Sequence, residues 1–182
     1  MNNEYDYMQG SVIGLLALAS QEYRVMVGGA SISEHAGSYV NAAQPAIQQA
    51  QATYPDEVPA LVLFTSNPGP HEEEIIEVLK QAFGRKIPIF GGSSGTEAPN
   101  PRYAIANSEA YAEGLSLCFI YTAKPIGHSY QMGFKREDAS GIATDVDGRW
   151  LKSIDGRPAL EVYNEWTDGF FTEIIREGKP IR

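Results

Sequence analysis

Two apolar runs flanking one amphipathic segment constrain this chain more than any other feature. Pro59-Ala-Leu-Val-Leu-Phe-Thr65 and Ile87-Pro-Ile-Phe90 are short, apolar and bounded by turn residues, the pattern of strands buried in a sheet. Between them Pro70 suits a first helical position, and Glu72, Glu73 and Glu74 complement the positive end of a helix dipole. Ile75, Ile76, Val78, Leu79, Ala82 and Phe83 recur at helical spacing, Lys80 lies near the far end, and Gly84 suits the closing position. Strand, helix and strand within about 30 residues make a crossover unit, so the two strands are expected to lie parallel. The loops that follow them then share one edge of the sheet.

That edge is where open α/β sheets hold ligands. The second strand runs into Gly91, Gly92, Ser93, Ser94, Gly95, Thr96 and Glu97, a loop read as starting at Gly91. Residues this small let backbone approach a bound group, and their N–H groups and hydroxyls suit a carboxylate or other anion. Glu97 is placed to pair with an amino group. Ser66 and Asn67, after the first strand, complete the candidate ligand-binding set. The competing reading is a glycine-rich turn that binds nothing.

The rest of the chain supplies candidate hairpins and helices. Ser11–Ala19 and Tyr23–Val27 read as an antiparallel hairpin. Ser31 with Glu34 fits a capping box, and Ala36, Val40, Ala43, Ile47, Ala50 and Tyr54 share one helix face. Pro45 is expected to kink or divide that helix near Gln44. Leu115–Ala123 and Ile126–Phe134 read as a second hairpin around Lys124-Pro125. Gly141–Val146 and Arg149–Ile154 flank Asp147-Gly148, a two-residue turn signal, and Asp155-Gly156 ends that hairpin. Pro158 opens a helix with Leu160, Tyr163 and Trp166 on one face, and Phe170–Glu177 begins another. A faint repeat links Tyr7-Met-Gln-Gly10 with Tyr111-Ala-Glu-Gly114, and Gly29 with Gly133 at the same offset. It suggests a first strand–helix–strand unit missing before residue 11.

Composition narrows the class. With 182 residues and 43% hydrophobic content the chain can build one good core, so one domain over 1–182 is expected, with 168–182 the start of a following segment. A net charge of −9 without a basic run excludes a phosphate-tracking surface, and so nucleic acid as a partner. Cys118 is the single cysteine, which rules out an intrachain disulfide and suits a reducing, cytoplasmic setting. The apolar run Val12–Ala19 is far short of the ~20 residues of a membrane span, and the acidic start lacks a signal peptide's basic region.

Several chemistries fit poorly. Gly91-Gly-Ser-Ser-Gly95 formally matches a serine hydrolase elbow with Ser93 as nucleophile, but Pro99 and Pro101 block the helix such an elbow needs. Only His128 lies downstream, no Asp falls between it and Ser93, and Glu109 and Glu113 are the late acids. His35, His71 and His128 have no second ligand at helical spacing, so no metal is expected. Asp145, Asp147 and Asp155 lack calcium-loop spacing and suit turns. Tyr103, Tyr111, Tyr121 and Tyr130 read as packing residues, and no phosphate-binding loop motif is present.

Three stretches together resemble a FIST domain. They are Ala60-Leu-Val-Leu-Phe, Ile87-Pro-Ile-Phe-Gly-Gly-Ser-Ser, and Gly141-Ile-Ala-Thr continuing to Leu-Lys-Ser-Ile-Asp-Gly-Arg-Pro-Ala-Leu-Glu-Val-Tyr163. The most specific is Asp155-Gly156-x-Pro158-Ala159-Leu160-x-x-Tyr163, and the resemblance spans about residues 10–166. It departs from the family at Gly133-Phe-Lys-Arg-Glu, where members carry Gly-Trp and then Pro-Leu-Gly. The resemblance implies a sensory input module that binds small ligands such as amino acids and serves a signalling output domain or partner protein. Haem enters by this analogy alone; no cofactor is otherwise expected. The resulting expectation is an α/β domain whose mixed sheet has a parallel βαβ core extended by antiparallel hairpins, with helices packed on it. Its function is to bind a small anionic or zwitterionic molecule without catalysis. A protein-interaction scaffold is the second reading and a serine hydrolase the third.

Overall fold

A computed structural model describes residues 17, 19–67, 69, 71–93, 103–130, 133 and 137–178. Contacts divide the chain into two units, 1–128 and 129–182. In the first unit, β1 is Arg24–Ser31, α1 is Tyr39–Gln51, β2 is Leu61–Ser66, α2 is Glu72–Phe83 and β3 is Ile89–Ser93. After them come β4, Tyr103–Ala106, β5, Glu109–Ala112, and β6, Gly114–Tyr121.

The expected crossover is present. β2 and β3 pair in parallel, Val62 opposite Ile89 and Ser66 opposite Ser93, with α2 between them in sequence. α2 begins after His71, carries its three glutamates in the first turn and closes at Gly84, whose φ is 91°. β6 runs antiparallel to both neighbours, giving the sheet order β1-β6-β2-β3. The sheet is therefore mixed, and among the described strands its antiparallel pairs join β6 to β1 and β2, both distant from it in sequence. Arg24–Val27 lie in β1, which pairs with β6; the other arm of the expected hairpin is residues 11–19. Those residues lie outside the described ones apart from Ala17 and Ala19, as does the first repeat copy at 7–10. Past Tyr121, residues 122–130 form no strand, so the hairpin around Lys124-Pro125 does not form. Pro125 supplies no ladder donor, and the apolar character of that segment serves side-chain contact instead.

The core lies on one face of this sheet. Val62, Phe64, Leu115, Leu117, Phe119 and Tyr121 point at Ile75, Val78 and Leu79 of α2 and at the alanine face of α1. That face is Ala42, Ala43, Ala46, Ile47 and Ala50 with Tyr39; Val40 is exposed and does not belong to it. The helix also starts later than its capping box suggests. Residues 33–35 make a 3-10 turn, Ala36 and Gly37 take positive φ, and Ser38 becomes the cap, its hydroxyl accepting the Asn41 N–H at 3.2 Å. α1 runs unbroken through Pro45. The local loss at Pro45 is outweighed by a buried face that holds the helix on the sheet on both sides of it.

Close packing here rests on backbone. A Cβ at Gly28 would sit 2.0 Å from the Ala46 carbonyl oxygen and 2.8 Å from the Ala50 nitrogen. α1 thus rests directly on the β1 main chain. The opposite face of the sheet meets β4 and β5, a hairpin turned by Asn107 and Ser108, both at positive φ. Tyr111 and Ala106 cover Gly29, and Asn107 Nδ2 donates to the Val27 carbonyl at 2.9 Å.

In the second unit, β7 is Ala143–Asp147, β8 Trp150–Ile154, β9 Arg157–Pro158, α3 Ala159–Trp166 and α4 Thr172–Glu177. The first turn is Gly148-Arg149, one residue later than Asp147-Gly148, because Asp147 pairs with Trp150 and Gly148 takes the positive φ. Asp155-Gly156 turns β8 into β9 with both residues at positive φ, and the Asp155 carboxylate accepts the Ile142 N–H at 3.0 Å. Pro158 caps α3, whose buried residues are Ala159 and Val162, packed with Ile154 and Trp166. Tyr163 is instead half exposed. The small residues at 159 and 162 are the ones that fit under the hairpin.

Two glycine substitutions separate steric from conformational effects. Gly28→Ala should destabilise the chain by about 1–3 kcal/mol or more, since neither neighbouring backbone can retreat. Gly92→Ala, where an added Cβ meets nothing within 4 Å, should lie within about 0.5 kcal/mol of the parent chain. Urea unfolding of the two variants checks both.

Candidate functional site

The crossover brings the carboxyl ends of β2 and β3 side by side, as the sequence suggests. Ser66 and Ser93 are register partners, and Asn67 follows Ser66. Gly91, Gly92 and Ser93, however, continue β3 instead of opening a loop. Gly91 is needed where it stands, because its φ is 156° and a Cβ would lie 2.0 Å from the Phe64 carbonyl oxygen. The small residues thus bring β3 against β2 at the sheet edge. Ser94, Gly95, Thr96 and Glu97 lie outside the described residues.

Ser66 and Asn67 are the buried polar residues among those described, at 1% and 8% exposure. Asn67 has a structural task. Its Oδ1 accepts the Gly114 N–H at 3.1 Å, and its own N–H donates to the Gly114 carbonyl at 3.1 Å. This pair of hydrogen bonds to the start of β6 fixes where the chain leaves β2. The Tyr39 hydroxyl donates to the Asn67 carbonyl at 3.4 Å, which ties in the first turn of α1.

Around this point stand side chains that the strand-end argument omitted. The Tyr39 ring stacks on His71 with centroids 4.6 Å apart and planes 22° from parallel. His71 Nδ1 lies 3.6 Å from Glu74 Oε2, beyond hydrogen-bonding range, and has no hydrogen-bond partner among the described residues. The Ser93 hydroxyl donates to the Glu72 carboxylate. Burial pushes the Tyr39 phenol above its ordinary value, with the charges of Glu113 and Glu72 adding to the rise. The arrangement therefore combines carboxylates with the N-terminal turn of α2, one attracting cations and the other anions. His71 and Glu72 are legible from sequence as the residues just beyond a crossover strand, yet helix-end duty explains the glutamates equally well. Tyr39 carries no such signal, because α1 is distant in sequence from β2.

The remaining titratable candidates stand apart. The His35 imidazole bonds the Ser31 carbonyl at 2.7 Å, and His128 meets the edge of Phe90 at 5.3 Å. Among the described residues no three His, Cys, Asp or Glu side chains are grouped to hold a metal ion. Cys118 is half buried in β6, and burial raises its thiol pKa. None of the described helices is long and apolar enough to cross a membrane.

A parallel crossover inside a mixed sheet, with helices packed on it, defines an α/β domain. The chain belongs to the FIST N domain family, whose model matches residues 2–157 of its 182. This is a family of sensory domains in signal transduction. No curated protein matches the chain.

Two measurements bear on this site. Asn67→Ala should lose about 1–3 kcal/mol of stability by orphaning the buried Gly114 N–H, with Asn67→Asp, which keeps the acceptor, losing less. Calorimetric melting of both variants checks this. In alkaline titration, Tyr39 and Tyr121, both raised by burial, should ionise above the ordinary phenol value. The folded chain then holds protons that the unfolded chain releases, so stability should fall as pH rises above 10, the ordinary phenol value. Tyr39→Phe should flatten that decline.

Proposed function

We propose that this chain is a non-catalytic sensory domain for a small anionic or zwitterionic molecule, such as an amino acid. The ligand sits at the carboxyl ends of β2 and β3, against Ser66, Asn67, Gly91, Gly92, Ser93, Ser94, Gly95, Thr96 and Glu97. The observation that carries the reading is the in-register meeting of Ser66 with Ser93 beside the first turn of α2. There the N–H groups of the helix start suit a carboxylate, while Glu72 suits an ammonium group. Occupancy favours one arrangement of this edge, and a signalling output domain or partner protein reads the change. The reading treats 1–182 as one FIST-like domain with 168–182 opening a following segment, places it in the cytoplasm, and needs no cofactor.

The test is a thermal-shift screen of the whole chain against amino acids, small carboxylates and haem. A ligand at about 100 times its Kd should contribute about 2.7 kcal/mol, a rise of roughly 5–10 °C. Ser93→Ala/Ser94→Ala and Glu72→Gln should each reduce that rise. A rise that survives both would move the ligand away from the strand ends, and silence across the screen would remove the sensor reading. Half-exposed Val25 and Leu63, on the sheet face away from the helices, favour the protein-interaction alternative.

A further inference from the structure

At the opposite end of the same sheet lies a cavity of about 320 Å³ that the strand-end reading does not use. Its floor is Leu61 and Ile120, direct cross-strand partners at the start of β2 and the end of β6. Both belong to the sheet face turned away from α1 and α2. Tyr23 closes one side, and Pro125 and Ile126 close another, which explains why the segment after β6 is apolar without being a strand. By strand rise this floor is about 17 Å from Ser66.

The walls are almost wholly apolar, and charge enters only at Glu22 and Lys124. Thr122 is already committed: its hydroxyl donates to the Glu22 carbonyl at 2.9 Å and accepts the Lys124 N–H at 3.0 Å. These bonds fix the backbone of both charged residues at the cavity mouth. The side chains themselves are loosely held, since Lys124 Nζ is 3.4 Å from Glu22 Oε1 and both are about two-thirds exposed. A pair this exposed is weak, and an ammonium with three donors has two left over. Its flexible apolar stem can lie along a bound chain while its head stays in water.

We propose that this cavity is a second ligand site, which takes a small amphiphile with an aliphatic or single-ring apolar body and a carboxylate head. The body fills the space over Leu61 and Ile120, and Lys124 holds the head. The size falls at the lower end of small-molecule sites, and the apolar lining with a few fixed polar groups is their usual make-up. This assignment is independent of the strand-end reading.

The experiment is an amide-resolved NMR titration of the full chain with octanoate, octylamine and octanol. Octanoate should give saturable shifts at Leu61, Ile120, Thr122 and Lys124. Lys124→Gln should weaken octanoate by ~3-fold or more and leave octanol unchanged. Ile120→Trp and Leu61→Phe, which fill the floor from two strands, should each abolish the shifts while amides of α1 and α2 keep their positions; either variant that folds suffices. The proposal is overturned if octanoate gives no localised saturable shift, if octylamine or octanol binds as tightly as octanoate, or if a folded cavity-filling variant still binds.

Discussion

The contact on which the first unit depends is the one between the α1 backbone and the β1 backbone at Gly28. No side chain separates them, so the helix lies as near the sheet as main-chain atoms permit. The alanines at 42, 43, 46 and 50 are the counterpart of that missing side chain. A larger residue on either surface would lift α1 and open the space between helix and sheet, and interiors tolerate such gaps badly. This closeness also carries Tyr39, at the first turn of α1, over the end of β2. The stack on His71 and the bond to the Asn67 carbonyl follow from where the helix is seated.

The two ends of the sheet are built differently. At the carboxyl ends of β2 and β3, polar groups are engaged with backbone and with one another, and Asn67 joins the ends of two strands through a pair of bonds to Gly114. At the other end, Arg24 makes a forked bond to Glu57 and lies 4.0 Å over the Tyr54 ring, which holds the start of β1 to the segment after α1. That side is aromatic and closed, whereas the side beneath Leu61 and Ile120 is open. One sheet thus presents a polar rim and an apolar hollow on different faces and at different ends.

Elements defined by their own residues were legible in the sequence. β2, α2 and the Asp155-Gly156 turn follow from apolar runs, a helical stripe and a left-handed Asp-Gly pair, each needing only near neighbours. What failed was pairing between distant segments. The Tyr23–Val27 run was correctly read as extended, and its described partner lies across the chain in β6, a choice that no local pattern encodes. The β4–β5 hairpin was missed because Asn107-Ser108 is a weaker turn signal than Asn-Gly, although both residues adopt the required positive φ. Helix faces were misjudged at single positions: Val40 and Tyr163 are apolar but exposed, while Tyr39 and Ala42 in α1 and Ala159 and Val162 in α3 face the core. At the site, the strand ends were foreseen, but the continuation of β3 through Gly91 and Gly92 was not. Glycine there serves strand contact with Phe64, a use that looks the same in sequence as a turn.

The order of strands has a consequence for how the chain is made. β6 lies between β1 and β2, and it is the last strand of its unit to leave the ribosome. Until it does, β1 has no ladder partner among the described strands, while β2, α2 and β3 can already assemble from contiguous chain. Arg24 finds Tyr121 only after everything between them exists. Pairing at such separation closes a large loop late and slowly. The sheet beneath α1 is therefore completed last, and the part of its alanine face that β6 covers stays without that partner until β6 arrives.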